Sequence, residues 1–449
     1  MKGYFSKTVS AAPLAVFRMG FGLMIFAGLA RFWVKGWITD LYITPKYFFP
    51  FYGFEFVRSL GAYTYLLFAI AAVSALMVAA GWFYRTAATT LFISFTYIEL
   101  IDKSTYLNHY YFISLISFLL IFLPANVYFS VDAYRKKELL AGLIPRWTID
   151  ALRVFVFILY FFAGLAKINS DWLVHALPLR IWLPARNDMP VIGSLFNHEW
   201  VWYAFSWLGC LYDLSIPFLL FMKKTRLPAF MAVVIFHGLT AVLFPIGMFP
   251  YIMIVTALIF FSGAFHQKIV DIVFGLFKLP MEFTHSSAVY QYSKNTQIIT
   301  QYIFLTFFIV QLALPLRFLL YPGELFWTEE GYRFSWRVML MEKAGYAQFT
   351  VKDKTGKSVV VNNSEFLTTL QEKMMSTQPD MILQYAHILR DYYSERKFED
   401  PEVYVDSYVT LNGRLGKPLV LPETNLSVQK ESFKHKNWIT PFHDEIKGF

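Results

Sequence analysis

Charge is scarce in this sequence. Only 16% of its 449 residues are Asp, Glu, Lys or Arg, against roughly 25% in an ordinary soluble domain. The shortage is concentrated before about residue 315, where long apolar runs pass with hardly an ionised side chain. A chain that is 57% hydrophobic and 20% aromatic cannot present a water-facing surface over most of its length, which excludes a wholly soluble fold. Cysteine is scarcer still: Cys210 stands alone, so no intrachain disulfide framework can form. The nine histidines lack paired ligand spacing, so no metal site is expected. There is no glycine-rich phosphate loop and no GxSxG elbow, which removes the usual nucleotide-binding and triad-hydrolase readings. The net charge of +9 resides in short clusters between apolar runs rather than along one stripe, so nucleic acid is not an expected partner.

What the sequence does have is nine apolar runs, near 11–32, 62–83, 86–101, 109–127, 150–167, 200–222, 228–245, 249–264 and 296–316. Each is long enough, or nearly so, to cross about 30 Å of hydrocarbon. The expected fold is an all-α polytopic transmembrane bundle of about eight to nine helices over residues 1–316, followed by a small α+β exoplasmic domain over 317–449. Residues 1–30 resemble a secretory signal, but Arg18 interrupts the apolar stretch, and the segment is read as the first span. The basic clusters at 135–137 and 223–226 fall on the same side as the N-terminus, and the positive-inside rule makes that side cytoplasmic. An odd number of spans then places the C-terminal part across the bilayer, in the periplasm if the chain resides in a bacterial inner membrane. The aromatic-rich loop 33–58 suits a segment at the headgroup level or folded back over a cavity. Alternation over 348–361 and 403–420 predicts two hairpins, and 364–396 has helical spacing with Ser364 as a plausible cap.

Ionisable groups inside membrane helices are costly and need a reason, and here they gather towards one end of the predicted bundle. Residues 101–111 read IDKSTYLNHYY, with Asp102, Asn108 and His109; residues 162–172 read FAGLAKINSDW, with Lys167, Asn169 and Asp171; His237 lies in the seventh run. Lys167 is either a snorkelling lysine that marks a helix end or a desolvated amine able to act as a base. His109 and His237 each suit an interhelical hydrogen bond as well as a ligand contact. Their placement at one level favours a site.

These same segments resemble the vitamin K-dependent gamma-glutamyl carboxylase family, whose transmembrane (HTTM-like) portion also occurs in bacterial proteins. The resemblance runs through Ile101-Asp102-Lys103, Asn108-His109, the stretch from Ala125-Asn126 to Ser130-Val131-Asp132, residues 164–172, His237, and Ile246-Gly247-Met248-Phe249. It continues through Pro315-Leu316-Arg317, WTEEGYRFSW at 327–336, and Val403-Tyr404-Val405-Asp406. It implies an integral-membrane enzyme that couples oxygenation of a vitamin K-type quinol by O₂ to addition of CO₂ to a peptidyl glutamate. By resemblance Lys167 is the base that deprotonates the quinol and His109 the catalytic histidine beside it. Asn108, His237 and Phe249 fall on the cofactor side, and Arg333, Trp336 and Arg337 on the side of the substrate glutamate. The implied cofactors are a menaquinone- or phylloquinone-type quinol, O₂ and CO₂ without a metal. The implied partners are the lipid bilayer and a Glu-containing peptide or exported protein. Eukaryotic members carry two adjacent lysines where this chain has Ala166-Lys167. The alternatives are a quinol epoxidase without carboxylation, a membrane transporter or lipid-binding protein, and a structural anchor.

Overall fold

In the computed structural model, which describes residues 2–277 and 286–449, each predicted apolar run is helical. In chain order the helices are α1 Ala12–Val34, α2 Thr64–Ala80, α3 Tyr84–Leu100, α4 Asn108–Phe122 and α5 Arg146–Leu165. They continue with α6 Glu199–Phe221, α7 Arg226–Leu243, α8 Phe249–Ala257, α9 Gly263–Phe277 and α10 Lys294–Ala313. Among the described residues, six helices are long and apolar enough to cross a membrane alone, or seven if the pair α8–α9, bent by 118°, counts as one span. The expected helical polytopic bundle is present, with fewer helices that qualify as spans on length and apolarity alone than the eight to nine expected.

The shortfall has local causes. α3 ends after 17 residues where Asp102 takes extended backbone and accepts the Ser104 N–H, and the 15-residue α4 ends just before Pro124. α8 tightens into a 3₁₀ turn and breaks into α9, which the apolar runs did not announce. The chain nonetheless alternates between two ends of the bundle. At one end β1 (Thr8–Ser10) pairs with β2 (Leu143–Pro145), the Tyr292 hydroxyl donates to the Phe122 carbonyl, and Arg153 Nε donates to the Ile259 carbonyl. Both basic clusters lie in connections at this end. The outward faces stay apolar, as Leu66, Val73, Leu208, Ile235 and Ile299 illustrate, as lipid contact requires.

Arg18, the charge that interrupts the first run, is held inside the bundle by its two terminal nitrogens. Its guanidinium donates to the carbonyls of Ala125 and Phe129. It packs against Gly81, where φ is +66° and a Cβ would meet Arg18 Nη1 at 2.2 Å. Glycine is needed there on both counts.

The C-terminal part is built on an antiparallel sheet of order β4-β3-β5-β6, with β3 Lys343–Lys352, β4 Ser358–Val360, β5 Glu402–Leu411 and β6 Lys417–Pro418. Both predicted hairpins are present. The helical stretch between them is two helices, α11 Thr369–Met375 and α12 Pro379–Ser394. The cap is Thr368, which forms a capping box with Gln371; Ser364 sits in a preceding 3₁₀ turn. Phe349, Val351, Val403 and Val405 point from alternate sheet positions into a core that is continuous with Trp172, Leu179, Leu183 and Phe196 from the bundle's connections. The sheet domain is thus packed onto the end of the bundle opposite β1 and β2.

Candidate functional site

α5 and α6 cross closely at Gly164, where a Cβ would meet the Leu214 backbone nitrogen at 2.8 Å. That approach brings Asp213 of α6 to the C-terminus of α5. Beyond Ala166 the chain turns at Asn169, whose side chain accepts from Trp172 N and donates to the Ala166 carbonyl, so Lys167 folds back into the bundle. Its Nζ lies 2.8 Å from Asp213 Oδ2 and 3.1 Å from the Ala163 carbonyl, and 5.3 Å from the centre of the Trp172 ring. Lys167 is 6% exposed, so its ammonium does not snorkel to water. It lines a cavity of about 100 Å³ together with Asp213, Tyr160, His237, Phe249 and Met339. His237 reaches this cavity from α7; its Nε2 is 2.9 Å from the Tyr160 hydroxyl, while Nδ1 is buried without a hydrogen-bond partner among the described residues.

A second cavity, of about 310 Å³, opens between α1, α3, α4 and the start of α8. Trp37, Tyr42, Phe68, Phe95 and Ile98 give it apolar walls, and Arg31, Glu99, Asn108 and His109 are its polar members. The loop 33–58 does fold over a cavity, since Trp37 and Tyr42 come from it. The His109 ring packs 4.4 Å from Tyr110 and 5.8 Å from Phe249. The Asn108 amide is already engaged: its Nδ2 donates to the Arg337 carbonyl and its Oδ1 accepts from Tyr106. The two cavities share Ile246, Phe249, Val338 and Met339 as walls, so Phe249 stands between His109 and Lys167.

The shared wall at 338–339 belongs to a segment that descends from the sheet domain into the bundle. Glu329, Phe334, Trp336 and Met339 all have positive φ, a conformation costly for residues with a Cβ and retained where surroundings over-determine it. Trp336, fully buried, stacks at 5.0 Å on Tyr111 and contacts Phe155. Arg333 is committed to the sheet domain: it grips Asp380 through two nitrogens at 2.7 and 3.3 Å and also donates to Gln378. Arg337 is different. Its guanidinium lies between the rings of Phe318 and Phe449 and Nη1 donates to the Phe449 carbonyl at 3.3 Å. Nε and Nη2 are buried without hydrogen-bond partners among the described residues. Burial pulls this guanidinium down to about 10. It lines a third cavity of about 430 Å³ with Asn169, Tyr321 and Glu324.

The structure therefore gathers Lys167, His109, His237 and Phe249 around two adjoining cavities, puts Asn108 and Trp336 in their support, and separates Arg337 from Arg333. Asp213 and Glu99 are absent from the sequence candidates. The signal for both was present, since each is a carboxylate inside an apolar run, and that rarity alone marks a group with a task.

Two family models match the chain. Residues 6–265 match the HTTM domain, and residues 296–445 match the vitamin K-dependent gamma-carboxylase lumenal domain. No solved structure matches.

Proposed function

The chain belongs to the HTTM family and carries a vitamin K-dependent gamma-carboxylase lumenal domain, which makes it a carboxylase-like membrane protein; from that premise we propose that it is a quinol-dependent gamma-glutamyl carboxylase. It would couple epoxidation of a vitamin K-type hydroquinone by O₂ to addition of CO₂ at the γ-carbon of a peptidyl glutamate. The observation that carries this is the Lys167–Asp213 pair, buried at 2.8 Å, facing an apolar cavity that adjoins a larger one lined by His109. The larger cavity falls within the ~300–1,000 Å³ usual for small-molecule sites. Its aromatic walls and few polar groups fit a lipid-soluble hydroxylated ring.

No side chain is basic enough to remove a proton from a carbon that bears an ionised carboxylate, so a bound hydroquinone would supply that driving force on oxidation by O₂. The chain's own part is more modest. In the reactive form Asp213 takes the proton that the pair shares, so that Lys167 Nζ, as the neutral amine, accepts a second proton from a ring hydroxyl. His109 and His237 offer N–H groups to oxygen that gains negative charge; the Tyr160 contact at Nε2 fixes the orientation of His237. The apolar walls keep water from competing for the reactive base. Arg337, with two buried nitrogens free, is the better placed of the two arginines to pair with the substrate carboxylate.

This assignment divides the chain at residues 316 and 317 and makes the end with the basic clusters cytoplasmic. The sheet domain then meets exported peptides or proteins on the exoplasmic side, the periplasm for a bacterial inner membrane. The test is to supply the protein in nanodiscs with reduced vitamin K, O₂, ¹⁴C-bicarbonate and a Glu-rich peptide. Quinone epoxide and peptide label should both appear and both vanish with Lys167→Ala. Epoxide without label would reduce the function to epoxidation, and neither product would exclude carboxylase chemistry.

A further inference from the structure

Glu99 is used by nothing described so far. It lies in the last turn of α3, 5% exposed, and lines the 310 Å³ cavity with His109. One carboxyl oxygen, Oε2, accepts the Ser114 hydroxyl at 2.7 Å across the α3–α4 contact. The other, Oε1, is buried with no hydrogen-bond partner among the described residues. If Glu99 served only to join the two helices, that second oxygen would be an uncompensated loss in a membrane interior.

Among the described residues no lysine or arginine forms an ion pair with Glu99. An ionised carboxylate buried without a cation is far costlier than the neutral acid. A neutral acid that accepts from Ser114 at Oε2 has its O–H to give from Oε1, and Glu99 is one of the residues that line the cavity. We propose that Glu99, as the neutral acid, donates a hydrogen bond from Oε1 to a ring oxygen of the hydroxylated aromatic ligand bound in this cavity, stabilising that oxygen as it ionises. The proposal rests on the quinol assignment above and adds to it a donor opposite in kind to Lys167: one group removes a proton, the other steadies the anion left behind. A hydrogen bond to a charged oxygen outweighs one to its neutral form, so Glu99 would favour the ionised ring over both the neutral quinol and the oxidised quinone.

The test uses the full chain in nanodiscs and a substituted 1-naphthol, whose neutral and ionised forms differ in absorbance and which forms no epoxide. The wild-type protein should bind a larger fraction of the naphtholate than is present in buffer of the same pH. Glu99→Leu should lose that enrichment by at least about 10-fold, while Glu99→Gln, which keeps an N–H donor, should retain part of it. In infrared difference spectra, the protonated-carboxyl C=O band should shift on probe binding and be missing from Glu99→Gln. Equal enrichment in wild type and Glu99→Leu, or a carboxyl band that does not move, would overturn the role of Glu99 and leave the cavity assignment standing. Failure of the wild-type protein to bind the naphthol at all would overturn both.

Discussion

Lys103 and Lys167 lie at the same end of the bundle, are 3% and 6% exposed, and each places its ammonium 2.8 Å from a carboxylate. Their surroundings differ in what is left over. Around Lys103 every charge is answered by another: Asp380 is also held by Arg333, and Glu431 approaches Lys103 at 3.5 Å and accepts from Gln384. These groups join the connection after α3 to α12, so the cluster is a seam between bundle and sheet domain. Around Lys167 there is one carboxylate, one carbonyl, and then apolar cavity wall. The same ion pair therefore serves cohesion where it is enclosed by polar partners and leaves room for chemistry where it is not.

The sharpest way to break this contrast is to remove each amine in turn. Lys167→Ala should lower epoxide formation by about 10²–10⁴-fold, the usual worth of a positioned base, and Asp213→Asn should lower it in the same direction while leaving the amine in place. Lys103→Met should leave activity per folded molecule within a few-fold of wild type. Its effect should appear in stability, with about 1–3 kcal/mol lost because half-buried Glu431 is left without its cation and Asp380 keeps only Arg333. Thermal unfolding and limited proteolysis at the junction of sheet domain and bundle would measure it. If Lys103→Met were inactive yet stable, the two lysines would not be divided as described.

The seam also carries opposed pH dependences. The Arg333 and Lys103 charges outweigh the cost of burial and hold the Asp380 carboxyl well below the usual carboxylate range. Its stabilisation is therefore present above about pH 4 and is lost as pH falls below that. Asp102, one residue before Lys103, is pushed up to about 6 by burial, despite bonds from the Ser104 amide and Gln371. A raised carboxyl has the opposite sign: its contribution is complete below its ordinary value near 4 and is lost as pH rises through about 6. Unfolding followed from pH 4 to 7 should show a decline of up to about 3 kcal/mol in wild type, and Asp102→Asn should flatten it.

The bundle was legible because apolar runs and Gly/Asn turn signals act locally. The hairpins at 348–361 and 403–420 came from alternation, which depends on nothing outside the strand. Helix lengths were less legible, since apolarity continues through the α8–α9 break while the backbone bends. In the site, Lys167 and His109 announced themselves as polar residues in apolar runs. Asp213 carried the same signal, but nothing local tied it to Lys167, because the two are 46 residues apart in the chain and only the Gly164 crossing brings them together. Likewise nothing in the local sequence separates Arg333 from Arg337; the distinction depends on where Asp380 lands after α11 and α12 pack.

That distinction is the subtlest form of the same contrast, since one arginine is enclosed by polar partners and the other keeps two free nitrogens. Arg333→Met should behave as Lys103→Met does, weakening the seam with little change in the Michaelis constant for peptide. Arg337→Met should leave quinol epoxidation nearly intact in the absence of peptide and raise the peptide's Michaelis constant by about 10-fold, as loss of one charged hydrogen-bonding contact would. Arg337→Lys should recover part of the effect, because a lysine restores charge but not the fork that grips two carboxylate oxygens. Steady-state kinetics with peptide and quinol varied separately would decide between them. An unchanged peptide constant in Arg337→Met would mean that its free nitrogens serve the packing of Phe318 and Phe449 rather than a substrate carboxylate.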